Sequence, residues 1–385
     1  MNSKIWKTWI GASLLAGGMA ACTAANTEDT PFSLLASVVS EQANFDVVQV
    51  TDQLDKPWGL AFLPNGDFLV TQKTGQLVRV AAKSGAITSI SGMPEILVLG
   101  QGGLLDVALS PNFAEDQALY ISYASGTRDK NHTVIAKAVL TDNALTTLDV
   151  IFEANTEQKS GGHHFGSRFA FDNQGHLYAS IGDGGRFEDE AQNPLNHFGT
   201  IIRLHLDGSI PADNPFADGV LGAPEVWSYG HRNPQGVTTH PSTGEIWSSE
   251  HGPKGGDEVN LIAKGENYGW PKASFGRKYT GGKISDFSEL PGMVSPLLHW
   301  TPSIAASGLS FYSGTAFANW NGDLFSGALA GRHLRRVELD GYEIVAQEEL
   351  LGDLKERIRD VRMGPDGFLY LLADSGKLLR LEPTK

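Results

Sequence analysis

A short pattern recurs six times along the chain. A turn rich in Pro, Asn, Asp or Gly precedes an apolar and usually aromatic pair that begins a strand, as in "LPNGDFLVTQ" and "GPDGFLYLLAD". The six pairs are Phe68-Leu69, Leu119-Tyr120, Leu177-Tyr178, Ile246-Trp247, Leu324-Phe325 and Leu369-Tyr370. Their first members lie 45 to 78 residues apart. Six such units predict an all-β fold, a six-bladed β-propeller with long loops over the central channel.

The rest of the chain agrees with this architecture. Apolar residues rarely recur at helical spacing, and 45 glycines favour turns over helices. The uneven spacing of the repeats indicates insertions, of which 184–226 and 271–300 are the longest candidates. We expect "FDVVQV", Phe45 to Val50, to pair with the last blade and close the ring, because closure hides edge strands.

The N-terminus has the pattern of an export signal. Lys4 and Lys7 precede an apolar run that is too short to span a bilayer, and "MAAC" follows it. Cys22, the only cysteine, stands where a bacterial lipoprotein would be cleaved and lipidated. We therefore predict a signal peptide over 1–21, a tether over 22–44 and a catalytic propeller over 45–385.

This signal predicts a periplasmic protein, anchored to a membrane through Cys22. The alternative is ordinary cleavage nearby, which would give a soluble periplasmic or secreted protein. Either way, no disulfide stabilises the mature chain. The formal net charge of −14 disfavours nucleic acid as a partner but is compatible with small neutral substrates.

Polar residues recur where each repeat approaches the central channel. The first strand of a propeller blade lines the channel, so residues just ahead of it in different repeats should converge. The equivalent positions hold Trp58, Gln101, His164, Arg232 with Asn233, Ser303, and Arg357 with Arg359. Each alone is more often structural than catalytic, and His163 is treated as structural. Together, three arginines and a histidine predict a positive pocket for a ligand with several carboxylates or phosphates.

A second cluster is the glycine-rich segment "SSEHGPKGGDEVN", Ser248 to Asn260. Its glycines allow backbone carbonyls to point one way, and Glu250, Asp257 and Glu258 add carboxylates. Calcium accepts such a mixture of oxygen ligands, whereas zinc prefers His or Cys. The spacing alone fits a calcium site and a polar loop without an ion equally well.

At these motifs the chain resembles the soluble quinoprotein sugar dehydrogenases that use pyrroloquinoline quinone (PQQ), particularly the aldose dehydrogenase branch. The similarity begins at about Asp46 and covers nearly all of the remaining chain. It is carried by "GQGGLLDVALSPNF", "HHFGSRFAF", "YGHRNPQG" and "SEHGPKGGDEVNLIAKGENYGWP". The resemblance implies a six-bladed propeller that oxidises the C1 hydroxyl of an aldose to a lactone. A hydride passes to the quinone, and the electrons pass later to an unidentified acceptor.

The resemblance also implies residue roles. His164 matches the general base and also a residue of the cofactor site, and Asp183 in "IGDGG" matches the carboxylate that orients His164. Gln101 and Arg232 match groups that bind the quinone oxygens. The remaining matches are Asn233 in the same cofactor motif, Ser303 at a position where threonine is expected, Arg357 and Arg359 at the cofactor carboxylates, and the carbonyls of Gly252 and Pro253 at a calcium ion.

The chain departs from the family pattern at three further points. His163 replaces an aspartate found in the glucose-oxidising branch, so sugar contacts should differ. The family's cofactor-contacting lysine falls within "GALAGRH", which has none, and Arg332 is the candidate substitute. The loop from Pro271 to Trp300 is expected to differ between branches and to influence substrate range.

Two other functions remain open at this point. A calcium-dependent propeller lactonase would need side-chain carboxylates and an Asn around the metal, without a positive pocket. A non-catalytic propeller that binds a glycan or a protein would not need His164 and Asp183. The sequence leaves the physiological sugar and the oligomeric state undetermined.

Overall fold

The computed structural model describes residues 32–156 and 159–384, and within these ranges the fold is almost entirely β. One helical turn, α1 (Phe113–Asp116), and three short 3-10 turns, at Glu188–Gln192, Ala318–Trp320 and Gly352–Leu354, accompany the strands. The strands are β1 (Ser33–Val39), β2 (Asn44–Thr51), β3 (Pro57–Phe62), β4 (Phe68–Gln72), β5 (Gln76–Val80), β6 (Ile87–Ile90), β7 (Leu104–Leu109), β8 (Ala118–Gly126), β9 (Asn131–Thr141), β10 (Ala144–Glu153), β11 (Phe169–Phe171), β12 (His176–Ile181), β13 (Thr200–His205), β14 (Val226–Tyr229), β15 (Pro234–Thr239), β16 (Ile246–Glu250), β17 (Asp257–Ile262), β18 (Leu298–Trp300), β19 (Ala306–Phe311), β20 (Leu324–Ala328), β21 (His333–Asp340), β22 (Glu343–Leu350), β23 (Ile358–Met363), β24 (Leu369–Ala373) and β25 (Leu378–Pro383).

These strands form six antiparallel sheets, the blades of a β-propeller, which confirms the predicted fold class. Blades 1 to 5 are four-stranded and follow chain order: β3–β6, β7–β10, β11–β14, β15–β18 and β19–β22. Blade 6 has the order β1-β2-β25-β24-β23. The innermost strands are therefore β3, β7, β11, β15, β19 and β23.

The second strand of each blade explains the repeat seen in the sequence. Strands β4, β12, β16, β20 and β24 are buried at every position, and β8 is buried at all but its last two. A strand covered by blades on both faces needs apolar residues at successive positions, so the usual alternation disappears. The core accordingly lies between adjacent blades: Leu69 of blade 1 and Ile121 of blade 2 belong to one buried cluster, and Phe325 of blade 5 and Leu371 of blade 6 belong to another.

The N-terminal strand closes the ring as predicted. Strand β2 pairs with β25 in antiparallel register, Phe45 opposite Pro383 and Val47 opposite Leu381. The structure differs from the predicted tether over Ser33–Val39, because this segment pairs with β2 as a fifth strand, β1. The segment can do so because the outer edge of β2 would otherwise be unpaired. The predicted signal peptide and Cys22 lie outside the described residues.

The insertions lie close to their predicted places. The segment 184–226 is not one loop, because β13 crosses it and joins blade 3. The longest segment without a named strand runs from 263 to 297, between β17 and β18. In the described part of the chain, no helix is long and apolar enough to cross a membrane.

Candidate active site

Most of the polar positions predicted to converge, with the exception of Ser303, lie around one cavity. The cavity has a volume of about 310 Å³ and lies near the first residues of the innermost strands. Trp58, Gln101, Asn233, Arg357 and Arg359 line it. His164 and Arg232 lie beside it, each one residue along the chain from the lining residues Phe165 and Asn233.

His164 and Asp183 form a buried acid–base pair. The Nδ1 atom of His164 lies 2.6 Å from Oδ1 of Asp183. The other carboxylate oxygen, Oδ2, accepts a 2.8 Å hydrogen bond from Nε1 of Trp270, and the backbone N–H of Gly185 donates to Oδ1. With Nδ1 held in this way, Nε2 is the ring nitrogen that can exchange a proton with a ligand.

The electrostatic environment favours a neutral His164 imidazole and an ionised Asp183 carboxylate. Burial lowers the pKa of His164, and the charges of Arg232 and His163 act in the same direction, against the raising effect of Asp183. Burial tends to raise the pKa of Asp183, but the hydrogen bond and charge of His164, with Arg232, hold it below its usual value. A neutral imidazole beside a carboxylate is the arrangement that a general base needs.

The backbone at His164 is held in an uncommon conformation. Its φ angle is +48°, in the left-handed region that residues other than glycine adopt uncommonly. The backbone N–H of His164 donates to Oε1 of Gln101 at 2.8 Å, which fixes this turn from the neighbouring blade. Such strain persists where the surroundings determine the geometry, and it is concentrated at functional sites.

The buried carboxylate of Glu250 holds the backbone of Arg232 in place. The Oε2 atom of Glu250 accepts the backbone N–H of Arg232 at 2.6 Å, while Oε1 contacts Nδ1 of His231 at 2.9 Å. The Arg232 guanidinium donates from Nη1 to the carbonyls of His251 (2.9 Å) and Gly252 (3.1 Å). The positive charge of Arg232 is thereby held next to His164 and the glycine-rich loop.

The glycine-rich loop brings carbonyl oxygens close to the cavity. A side chain at Gly252 would collide with the carbonyl oxygens of Gly255 and Gly256, so only glycine fits there. The backbone N–H of Gly252 donates to Oδ1 of Asp257 at 2.9 Å. His251 lines the cavity, whereas Gly252 and Pro253 follow it just outside. In the described residues, no group of three or more His, Cys, Asp or Glu side chains converges as metal ligands would.

Ser303 has a different role from the one that its repeat position suggested. Its hydroxyl donates to the Asp257 carboxylate, at 2.8 and 2.9 Å from the two oxygens, and it does not line the cavity. Burial raises the pKa of Asp257 despite the hydrogen bonds from Ser303 and Gly252. Ser303 therefore supports the glycine-rich loop from below, through Asp257.

The cavity wall on the side of blades 1 and 6 is positive. Arg357 and Arg359 both donate to Asp374, from Nε at 2.9 and 3.0 Å. Lys73, from blade 1, lines the same wall. Burial tends to raise the pKa of Asp374, but the two arginines hold it below its usual value, so it stays ionised. Three cations therefore face one carboxylate on this wall.

The side chain of His251 lines the cavity and has a ring nitrogen without a hydrogen-bond partner among the described residues. Its Nε2 atom is buried and has no hydrogen-bond partner among the described residues. Burial lowers the pKa of His251 to about 3, with further lowering from the charges of Arg232, His164 and Arg359. A buried polar atom without a partner is costly, so this neutral nitrogen indicates that a ligand or water completes the site.

A buried charge network forms the floor of the cavity. Arg168 contacts Asp106 at 3.2 Å and Asp360 at 3.1 Å, and Arg362 contacts the same two carboxylates at 3.0 and 3.1 Å. The Arg168 guanidinium lies 3.9 Å from the centre of the Trp58 ring. The network joins blades 2, 3 and 6 across the channel and supports the aromatic surface of Trp58 from below.

Two glycines of the innermost strands make this floor possible. A Cβ atom at Gly59 would lie 2.5 Å from Oδ1 of Asp106, and one at Gly308 would collide with Asp360. The glycines in "KPWGLAF" and "ASGLSF" therefore leave room for the two buried carboxylates. Glycine is needed at these two positions because a Cβ atom would collide with the carboxylates, and not because the backbone has an unusual φ angle.

Sequence reasoning missed several residues of the site. His251 lies inside the quoted segment "SSEHGPKGG", and its position before Gly252 could have singled it out. Lys73 directly follows β4, whose end faces the same cavity as the innermost strand β3. Trp270 lies in the long 263–297 segment, outside any repeat position, and only its place near the end of the family motif "SEHGPKGGDEVNLIAKGENYGWP" could have singled it out. Arg332, the predicted substitute for the missing lysine, is exposed and does not line the cavity.

The chain matches a known family over most of its length. The model of the family described as "Glucose / Sorbosone dehydrogenase" matches residues 54–380. Aldose sugar dehydrogenase YliI of Escherichia coli is 40% identical over 348 residues, which cover 88% of this chain and 93% of the relative. Quinoprotein glucose dehydrogenase B of Acinetobacter calcoaceticus is 28% identical over 429 residues, covering 90% of this chain and 89% of the relative.

A solved structure supports the same relationship. The PQQ-bound form of aldose sugar dehydrogenase from Streptomyces coelicolor superimposes with a TM-score of 0.73 at 29% identity. The superposition covers 91% of this chain and 98% of that one.

Proposed function

The chain belongs to the glucose/sorbosone dehydrogenase family, and on this basis we propose that it is a PQQ- and calcium-dependent oxidoreductase that oxidises the C1 hydroxyl of aldoses to the lactone. The single observation that carries the proposal is the 2.6 Å His164–Asp183 pair, held beside a cavity with a positive wall. The His164–Asp183 pair suits removal of a hydroxyl proton, and the positive wall of the cavity suits an anionic cofactor.

His164 acts as the general base. Its neutral Nε2 accepts the proton of the C1 hydroxyl, and the resulting imidazolium is stabilised by the Asp183 carboxylate. Trp270 and Gly185 keep that carboxylate oriented during the transfer. To complete the oxidation, C1 loses its hydrogen as a hydride, which would pass to the quinone that bound PQQ supplies.

The cavity suits PQQ in charge and shape. When bound, the cofactor supplies a quinone that accepts a hydride. Arg357 and Arg359 would hold its carboxylates, because guanidinium groups bind carboxylates bidentately and stay charged when desolvated. Gln101, Arg232 and Asn233 would hold its polar edge, and the unpaired Nε2 of His251 would gain a partner. Trp58, braced by Arg168, offers a flat surface for a planar ring.

The carbonyls of Gly252 and Pro253 are the proposed calcium ligands. Backbone oxygens are the donor type that calcium prefers, and the loop places several close together. The Gly252 carbonyl now accepts a hydrogen bond from Arg232.

Substrate contacts should come from the exposed side of the same site. His163 is exposed next to His164, with ring centres 6.3 Å apart, and it replaces the aspartate expected in the glucose-oxidising branch. We propose that His163 and the loop from Pro271 to Trp300 contact the sugar and set its range. The electron acceptor is a separate, unidentified partner.

We also propose export to the periplasm and lipid anchoring through Cys22. The support is the sequence pattern of residues 1–22. Cys22→Ser should move the protein from the membrane fraction to the soluble periplasmic fraction. A wild-type chain that is already soluble after export would indicate ordinary cleavage.

A reconstitution experiment tests the activity. The purified chain, stripped with a chelator, is assayed for aldose-dependent dye reduction with no addition, calcium, PQQ, or both. We expect activity only with both, and a lactone as product. Lactone hydrolysis with calcium alone would instead favour the lactonase, and glycan binding without dye reduction under any condition would favour the non-catalytic propeller.

A further inference from the structure

Lys73 is a cavity residue to which neither the repeat nor the family resemblance assigned a role. It follows Gln72, the last residue of β4, and its backbone N–H donates to the carbonyl of Lys56 at 3.0 Å. Its side chain lines the cavity together with Arg357 and Arg359. Lys73 also lines an adjoining cavity that shares Arg359 and Asp374, so it lies between the two.

The fold makes specific room for this side chain. A Cβ atom at Gly103 would lie 2.8 Å from Cγ of Lys73 and would collide with the Lys73 carbonyl oxygen. The Nζ atom donates to the carbonyl of Gly100 at 2.9 Å. The segment "GQGG", Gly100 to Gly103, therefore both admits the lysine stem and orients its charged end.

The ammonium group of Lys73 has no carboxylate partner of its own among the described residues. Asp374, the acid of this wall, already accepts hydrogen bonds from Arg357 and Arg359. Lys73 instead uses a neutral carbonyl, which leaves donor capacity unused. Burial lowers its pKa, as do the charges of Arg359 and Lys56, while Asp374 opposes them. The wall thus carries an excess of positive charge in a protein whose formal net charge is −14.

We propose that Lys73 is the third cationic anchor of the cavity and that it binds a carboxylate of the cofactor. This inference rests on the proposed function. It assigns to Lys73 the cofactor contact of the missing family lysine, which Arg332 cannot provide because its side chain is exposed and lies outside the cavity. The group recognised is a carboxylate, and the contact is a charge-assisted hydrogen bond with no covalent step.

The test is direct binding of PQQ, measured by fluorescence titration, to wild type, Lys73→Met and Lys73→Arg. Lys83→Met, at an exposed lysine on the turn after β5, is the control. We expect Lys73→Met to weaken PQQ binding about 10- to 100-fold, Lys73→Arg to weaken it less, and Lys83→Met to leave it unchanged. The trimethyl ester of PQQ, which lacks the carboxylates, should bind wild type and Lys73→Met alike. Circular dichroism verifies folding of each variant.

The outcomes separate the two claims. If wild type and Lys73→Met bind PQQ equally well, the role of Lys73 is wrong and the proposed function is unaffected. If Lys73→Met weakens binding of PQQ and of its ester equally, the loss reflects shape rather than charge, which also overturns the proposal. If wild type does not bind PQQ at all, the proposed function itself fails.

Discussion

At the scale of single residues, the His164–Asp183 pair could be predicted from the sequence, but the residues that hold it in place could not. His164 stands at a repeat position and in a recognisable motif, so sequence reasoning found it together with Asp183. Trp270 and His251 complete the site through tertiary contacts with no periodic signal. Ser303 occupies the equivalent position in its repeat, yet its hydroxyl binds Asp257. Equivalence in a repeat fixes where a backbone lies but not where its side chain points.

Asp183→Asn should change the pH profile of aldose oxidation. Asp183 raises the pKa of His164, so its removal lowers that pKa further, and the base stays neutral to lower pH. We therefore expect the acid limb of kcat/KM to move to lower pH. The plateau should fall by about 10²-fold, because the imidazolium loses its counter-charge and its fixed tautomer.

The control for this variant is Asp172→Asn. Asp172 forms a similar pair with His176, at 2.8 Å, but it lies in the turn between β11 and β12, away from the cavity. Its replacement should leave the profile unchanged. An acid limb that is the same in wild type and Asp183→Asn would show that His164 is not the group that titrates.

At the scale of elements, the innermost strands both pair within their blades and present side chains to the cavity. In five of the six blades their pairing with the second strand contains a register shift, for example between Ile358 and Asp360 of β23. Such bulges redirect side chains and are common beside active sites. The shift leaves Arg359 out of the pairing, where it lines the cavity, while Asp360 points into the buried network. The sequence predicted these strands, but bulges have no simple pattern in composition.

Asp106→Asn should destabilise the whole domain. The change leaves Arg168 and Arg362 with one buried carboxylate, Asp360, in place of two. Removing one partner from a buried ion network typically costs about 3–5 kcal/mol of unfolding free energy. Chemical denaturation should show a lower midpoint with the same slope.

Asp286→Asn provides the comparison, since its contact with Lys283 is at the surface, with both side chains largely exposed. Exposed pairs contribute little, so stability should not change measurably. Equal stability of the two variants would mean that the channel network does not hold the blades together.

At the scale of the whole molecule, closure of the ring by β2 could be predicted from the sequence, but the pairing of the additional strand β1 with β2 could not. "FDVVQV" has the apolar pattern of a strand, and a propeller needs one more strand for its last blade, so β2 could be placed in advance. Most residues of β1 are exposed, with Leu34 60% and Val39 84% accessible, and only Ala36 and Val38 are half-buried. Pairing with the free edge of β2, together with the packing of Ala36 and Val38 against the core, accounts for the conformation of this segment.

Two N-terminal truncations should separate these strands. A chain that starts at residue 42 lacks β1 but keeps β2, and we expect it to bind PQQ and melt within a few degrees of the full chain. A chain that starts at residue 53 also lacks β2, which exposes the edge of β25 and the core residues Leu379 and Leu381. It should melt much lower or aggregate. Equal melting temperatures would contradict closure by β2.

PQQ binding and aldose turnover, measured on the same preparations of wild type, His164→Asn and His205→Asn, separate cofactor binding from proton removal by His164. His205 is exposed at the far end of β13 and controls for loss of a histidine. We expect all three to bind PQQ in calcium. Aldose-dependent dye reduction should fall by about 10²- to 10⁴-fold in His164→Asn alone. Full turnover by His164→Asn would contradict its role as the base, and wild type that binds no PQQ would contradict the account as a whole.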